Sequence, residues 1–255
     1  MSGVYDNPKY YEIAFSFRDI PAEVNVFEEC FRRFSHIPVK SVLELGCGNS
    51  PHMEELAKRG YEYNGLDMSE AMLEYSREKA KLLGGRINLI RGNMVDFALD
   101  TSVDFALVML GSLFTTSTNE LISHFESVAR ALKAGGLYFL DWCVQFEPPW
   151  ESQGKSSWEL ERDGIRVKTT ASWEAVSLAR QTFREKIVLD IDDHGEKFTI
   201  EGIDIRRAIY PQEFLRFIDD CKDFEFVGWW NKWDLNQPLE HAIRIDRPIC
   251  IIRRK

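Results

Sequence analysis

The chain has 255 residues, 44% hydrophobic and 29% charged, with a formal net charge of −9, which describes a globular protein long enough to bury a substantial core. Its one basic run is the terminal Arg253-Arg254-Lys255, which argues against a nucleic-acid partner, because neutralising phosphates needs a basic face. No apolar stretch approaches the roughly 20 residues that span a bilayer, and the first residues lack the charged and apolar regions of a signal peptide.

In chain order, residues 5–34 read as helical, with Val24, Phe27, Cys30, Phe31 and Phe34 at i, i+3, i+4 intervals. Ser41 to Leu45 reads as a buried strand of a parallel sheet. It runs through Glu44 into a Gly46-Cys47-Gly48 turn, and a helical pattern follows from about Pro51. Glycine at such a turn accepts positive φ and lets a ligand approach the backbone. Asp67, nineteen residues beyond Gly48, ends the next apolar strand, Tyr61 to Leu66. A carboxylate at that distance is placed to accept hydrogen bonds from a ribose diol, so the pair describes a pocket for a nucleoside-bearing cofactor. A dinucleotide fingerprint would carry a third glycine where Pro51 stands, and no Gly-Lys-Ser/Thr of a phosphate loop follows.

Asp104 to Leu110 reads as a further strand. The helix near 118–133 has Leu121, Phe125, Val128, Ala129 and Leu132 on one stripe, is stopped by Gly135-Gly136, and leads into Leu137 to Asp141. Strands and helices alternate five times between 38 and 142, which implies a parallel sheet with helices on both faces. After Asp141 the pattern changes. Glu147-Pro148-Pro149-Trp150 and Ser152 to Ser157 form a turn-rich linker. Extended segments near 158–175, 180–191 and 197–209 follow, with Asp163-Gly164 and Asp193-His194-Gly195 where hairpin turns belong. A helix from Pro211 buries Phe214, Leu215, Phe217 and Ile218, and Phe224–Trp230 and Pro248–Arg253 read as a closing antiparallel pair. The expected fold is α/β, a Rossmann-like, mostly parallel seven-stranded sheet with a small antiparallel β insertion after the fifth strand. Its parts are residues 1–142, an insertion over 143–209 covering the ligand opening, and 210–255 completing the core.

Glu44-Leu45-Gly46-Cys47-Gly48 resembles the first motif of class I S-adenosylmethionine (SAM) dependent methyltransferases. The likeness continues in order through Gly65 to Ser69 with Ala71-Met72-Leu73, Arg91-Gly92-Asn93-Met94, Asp104 to Ser112, and Leu132 to Asp141. It covers roughly residues 38–142. The resemblance implies SAM as cofactor, its amino-acid end at the glycine turn, held by Glu44, Gly46, Cys47, Gly48, Asn49, Asp67, Met68, Asn93, Met94 and Leu110. Asn93 stands where the family usually has aspartate, and its amide oxygen can still accept from the adenine amino group. Cys47 is common at its position in the family, which makes a nucleophilic role unattractive.

Tyr10 to Arg18 resembles N-terminal segments that fold over SAM. That adds Tyr11 and Arg18 to the cofactor residues, Arg18 through a bidentate contact to the SAM carboxylate; a surface salt bridge and core packing are the plainer alternatives. The insertion resembles the covers of small-molecule methyltransferases, among them amino-sugar N,N-dimethyltransferases and glycine and sarcosine N-methyltransferases. The implied activity is methyl transfer to a small-molecule acceptor, with an amine nitrogen as one candidate atom. A protein side-chain methyltransferase and a non-catalytic SAM-binding regulatory module are the alternatives, and a homodimer is compatible with the sequence.

Ser112, Asp141 and Trp142 are candidates for the substrate rim, Asp141 equally as a cap for the following turn. No catalytic residue is assigned. His52 opens the first helix near the glycine turn, His124 reads as a helix-surface or half-buried residue, and His194 as a turn residue. The five cysteines (Cys30, Cys47, Cys143, Cys221, Cys250) lack Cys-x-x-Cys spacing and the histidines form no His-x-x-x-His pair, so reduced thiols in a cytoplasmic protein, without metal, are expected. Of the seven tryptophans, Trp142, Trp150, Trp158 and Trp173 flank or enter the insertion, and Trp229, Trp230 and Trp233 close the core. An aromatic cage for a cationic amine would bring several to the pocket, whereas ordinary packing would scatter them.

Overall fold

The computed structural model describes residues 3–152 and 154–255; Gln153, in the expected linker, lies outside the described residues. The N-terminal helical segment is broken in two, α1 (Pro8–Ala14) and α2 (Ile20–Phe34). The break has a local cause. Pro21 sits in the first turn of α2 and the Asp19 side chain accepts from Ala22 N, so a new helix starts there.

The main sheet holds β1 (Ser41–Leu45), β2 (Glu62–Asp67), β3 (Ile87–Arg91), β4 (Val103–Val108), β5 (Leu132–Asp141), β10 (Phe224–Trp230) and β11 (Ile249–Arg254), in the order β10-β11-β5-β4-β1-β2-β3. β11 runs antiparallel to both neighbours; the remaining pairs are parallel. Between them lie α3 (Met53–Lys58), α4 (Glu70–Ala80), α5 (Thr118–Ala131), the short α6 (Pro149–Ser152) and α7 (Pro211–Asp220). The turn expected at residues 132–136 is a bulge inside β5. Val103 pairs with Leu132 and Phe105 with Leu137, and Gly135 takes φ +85° in the excursion between them.

Successive residues of the central strands feed opposite faces. Leu43, Leu45, Ala106 and Val108 pack with Phe125 and Phe214, while Val42, Phe105 and Leu107 pack with Phe27 and Met53. His124, expected at the helix surface, is fully buried: Nδ1 meets Met94 O at 2.7 Å and Nε2 meets the Tyr138 hydroxyl at 2.8 Å. It shares the apolar stripe because it lies three residues from Leu121 and four from Val128.

The insertion is a four-stranded antiparallel sheet, β6 (Lys155–Arg162), β7 (Ile165–Ser177), β8 (Thr182–Asp193) and β9 (Glu196–Arg207), in sequential order. Its inner face, Ile165, Val167, Ile187, Leu189 and Ile191, packs on Val4, Ile13 and Ala14. The N-terminal segment is therefore held between the insertion and the main sheet, outside the carboxyl ends of β1 and β4, where the strand order reverses and open α/β sheets bind ligands. Among the described residues no helix is long and apolar enough to cross a membrane.

Candidate functional site

Two cavities of about 640 Å³ each meet at this sheet edge and share Tyr11, Phe15, Leu110 and Ser112 as a partition. The first is walled by the Gly46–Asn49 turn, Glu44, Tyr11, Glu12 and Arg18. Gly46 and Gly48 take φ +63° and +52°. They differ in surroundings. A Cβ on Gly46 would lie 2.8 Å from Met94 Cε, whereas one on Gly48 meets no protein atom within 4 Å, so the backbone there is open to a ligand.

Eight of the twelve expected cofactor residues line this cavity: Tyr11, Arg18, Glu44, Gly46, Cys47, Gly48, Asn49 and Leu110. Asp67, Met68, Asn93 and Met94 are outside its wall. Asp67 accepts from Gly48 N and Ser69 N, both at 2.8 Å, and burial holds its carboxyl above the usual range despite those bonds. Met68 is 65% exposed at the strand end. Asn93 is exposed too, and its Oδ1 accepts from Val95 N at 2.9 Å, so the oxygen assigned to an adenine amino group already caps a turn.

Arg18 is not a surface residue. Its side chain is buried, with Nε and Nη2 both on the Glu23 carboxylate. The bidentate contact expected with a ligand carboxylate is thus made with Glu23. Nη1 has no partner among the described residues, leaving its two N–H groups for an anion. Glu44, likewise, accepts from the Tyr63 hydroxyl and meets His52 Nδ1, both at 2.7 Å. His52 is fully buried, with Nε2 2.9 Å from Glu23. Burial pulls its pKa down, but Glu44 and the hydrogen bonds to Glu23 and Glu44 outweigh that and leave it raised. His52 lies in neither cavity wall, so its place is structural.

The roof is tied down by Glu12 of α1. Its carboxylate accepts from Lys79 Nζ at 2.8 Å, the Tyr75 hydroxyl and Arg162 at 2.7 Å, and Asn49 at 3.3 Å. Burial opposes ionisation, yet these partners bring its pKa down to about 2. One residue of α1 thus joins α4, the glycine turn and the insertion.

Of the rim candidates, Ser112 lines both cavities and Trp142 the second. Asp141 faces neither. It is fully buried: Oδ1 accepts from Trp233 Nε1 at 2.9 Å and Arg247 Nε at 3.2 Å, and Oδ2 from Leu110 N at 2.8 Å and Arg247 Nη2 at 2.9 Å. Direct substrate contact is therefore replaced by a positioning role. Asp141 holds Leu110, at φ +52°, in the partition. Arg247, stacked 4.5 Å over Trp233, also reaches Glu23 at 3.1 Å, so one buried network runs from Glu44 to Asp141.

The second cavity is aromatic. Trp142, Trp158 and Trp173 line it with Tyr5, Phe17, Phe114 and Phe183, and Arg206, Arg247 and Glu185 supply charge. The other tryptophans pack elsewhere: Trp150 near Phe183, Trp229 on Phe146, Trp230 on Phe34 and Trp233 on Phe139. Glu185 escaped the sequence reading although a signal was present. Phe183, Ile187, Leu189 and Ile191 form the inward stripe of β8, and Glu185 is the one acid in it.

Residues 42–136 match the family model described as a methyltransferase domain. A dTDP-3-amino-3,4,6-trideoxy-alpha-D-glucopyranose N,N-dimethyltransferase of Streptomyces venezuelae is 30% identical over 135 residues, 52% of either chain. The chain spans about half or less of the length of the curated relatives it matches. Over whole folds, Streptomyces venezuelae DesVI superposes with a TM-score of 0.78 at 18% identity, covering 99% of both chains. An S-adenosylmethionine-dependent methyltransferase of Clostridium acetobutylicum gives 0.76 at 15%, covering 96% of this chain and 95% of that one. These likenesses establish the fold, and the methyltransferase match is to residues 42–136 of the chain.

Proposed function

We propose that this protein binds SAM in the first cavity and transfers its methyl group to a small molecule held in the second, with an amine nitrogen as the favoured acceptor atom. The observation that carries the reading is the paired arrangement: a cavity at the glycine turn and a second, rich in aromatic residues and walled in part by the insertion, meet at one partition. The residues present fit the cofactor. Gly48 offers open backbone, Arg18 Nη1 offers free N–H groups toward a carboxylate, and Asp67 keeps acceptor capacity at the end of β2.

Bound SAM would supply a methyl already activated by a sulfonium. The chain's own work is orientation and exclusion of water. Tyr11, Phe15, Leu110 and Ser112 form the partition, and Asp141 fixes Leu110. The walled second cavity favours a small acceptor over a protein side chain, which would call for an open groove. The five free thiols support a reducing, cytoplasmic setting.

Calorimetry with SAM, followed by S-adenosylhomocysteine release against a panel of amines, alcohols and thiols, tests the proposal. SAM binding with turnover on an amine is expected. SAM binding without turnover on any acceptor would point to a regulatory module, and no SAM binding would overturn the reading.

A further inference from the structure

We propose that Glu185 is the acceptor's anchor: its free Oε2 receives a hydrogen bond from a positively charged donor, whose nitrogen gives up a proton to solvent before it can attack a methyl group, so the second cavity selects ammonium-bearing molecules over neutral or anionic ones of the same shape. The inference rests on reading that cavity as the acceptor site.

Glu185 is buried and lines the second cavity. Its Oε1 is fully engaged, by Trp173 Nε1 at 2.9 Å and Arg206 Nη2 at 2.6 Å. Oε2 has no partner among the described residues. That oxygen keeps its full acceptor capacity, and a ligand donor can pair with it.

The carboxylate is also fixed in place. Arg206 donates to Gly111 O, and its guanidinium lies 5.0 Å from the Phe114 ring centre and 5.3 Å from that of Phe183. That chain of contacts sets Glu185 beside the partition, since Gly111 lies between Leu110 and Ser112. Its charge reaches Tyr5 and Tyr11, where it adds to burial in pushing both hydroxyls up.

The charge balance favours a cation. Asp204, outside the cavity wall but paired with Glu185 across β8 and β9, accepts from Tyr5 at 3.4 Å and adds a second acid near Glu185 and Arg206. Arg247 is neutralised by Glu23 and Asp141. The remaining charged wall residues, Lys155 and Arg244 against Glu147 and Asp246, are all exposed and equal in number. Trp142, Trp158 and Trp173 add ring faces that attract a cation further.

The test compares three probes of one shape, phenethylammonium, 2-phenylethanol and phenylacetate, by ligand-observed NMR on the full chain with and without S-adenosylhomocysteine. The ammonium should bind about tenfold or more tighter than the alcohol, and phenylacetate weakest. Glu185→Gln should bring the ammonium's affinity to that of the alcohol in the same variant. Glu185→Asp keeps a charge for Arg206 while withdrawing the oxygen, and should lose much of the preference if the glutamine variant does not fold. Equal binding of the three probes by the parent protein, or a preference that survives in Glu185→Gln, overturns the inference. Ammonium preference without S-adenosylhomocysteine binding would instead sink the methyl-transfer reading and leave Glu185 as a cation site.

Discussion

Asp141→Asn keeps the size of a fully buried side chain and changes only one oxygen to an amide nitrogen. Both oxygens of Asp141 accept two hydrogen bonds. Whichever oxygen is replaced, an NH₂ group then faces two donors, and Arg247 loses half of its buried counter-charge. Breaking a buried pair from one side costs about 3–5 kcal/mol, a large share of a total stability of about 5–15 kcal/mol. Arg247→Met breaks the same pair from the other side. It leaves the fully buried Asp141 carboxylate with only neutral donors, Trp233 Nε1 and Leu110 N, so the loss is of similar size, about 3–5 kcal/mol. Because the two residues share one interaction, the double variant should cost less than the sum by about 1–2 kcal/mol. Urea unfolding of the four proteins measures this, provided the slope stays constant. Calorimetry with S-adenosylhomocysteine should show weakened binding in Asp141→Asn, since Leu110 lines the first cavity. An asparagine variant within about 1 kcal/mol of the parent, or an additive cycle, would refute the reasoning.

Burial brings His124 down to about 4 from 6.5. The unfolded chain therefore takes up the proton first, and this contribution is full above pH 6.5 and lost as pH falls toward 4, by about 1.4 kcal/mol per unit. A urea midpoint that does not drop between pH 7 and 5, or drops equally in His124→Gln, contradicts this; His52, with its raised pKa, contributes in the opposite sense. Gly48→Val and Gly46→Ala both carry left-handed strain of about 1–2 kcal/mol or more, at φ +52° and +63°. Gly48→Val should in addition abolish S-adenosylhomocysteine binding, because its side chain would enter space that no protein atom occupies. Calorimetry and urea unfolding together separate the two, and parent-like affinity in Gly48→Val would mean the cavity is misassigned. Glu12→Ala should free α1 and speed S-adenosylhomocysteine release in stopped flow, an outcome refuted by an unchanged off-rate.

Short-range physics made much of this molecule legible. Buried runs gave β1 and β4, Asp67 closed β2 as expected, and Asp163-Gly164 and His194 fell at real hairpin turns. The N-terminal break was readable too, since Asp19 and Pro21 are helix-start residues. The buried network was not, because its members come together only in three dimensions: Glu23 lies 29 residues from His52, and Arg247 lies 106 from Asp141 and 224 from Glu23. Nothing local to Arg18 says that its fork closes on Glu23. His124 and Glu185 form a middle case. Each sits at the right interval in an apolar stripe, and each was a polar residue whose burial periodicity alone could have announced.

Tyr11 and Phe15 belong to both cavities, so they cannot adjust to one occupant without altering the other's walls. The two ligands' affinities are then linked, and by the same factor in each direction. A cofactor that settles the partition would tighten the acceptor, and the acceptor must tighten the cofactor equally. Under the proposed methyl transfer, the occupant changes on one side and the bulk on the other at once, so the shared layer of Tyr11, Phe15, Leu110 and Ser112 would distinguish reactants from products.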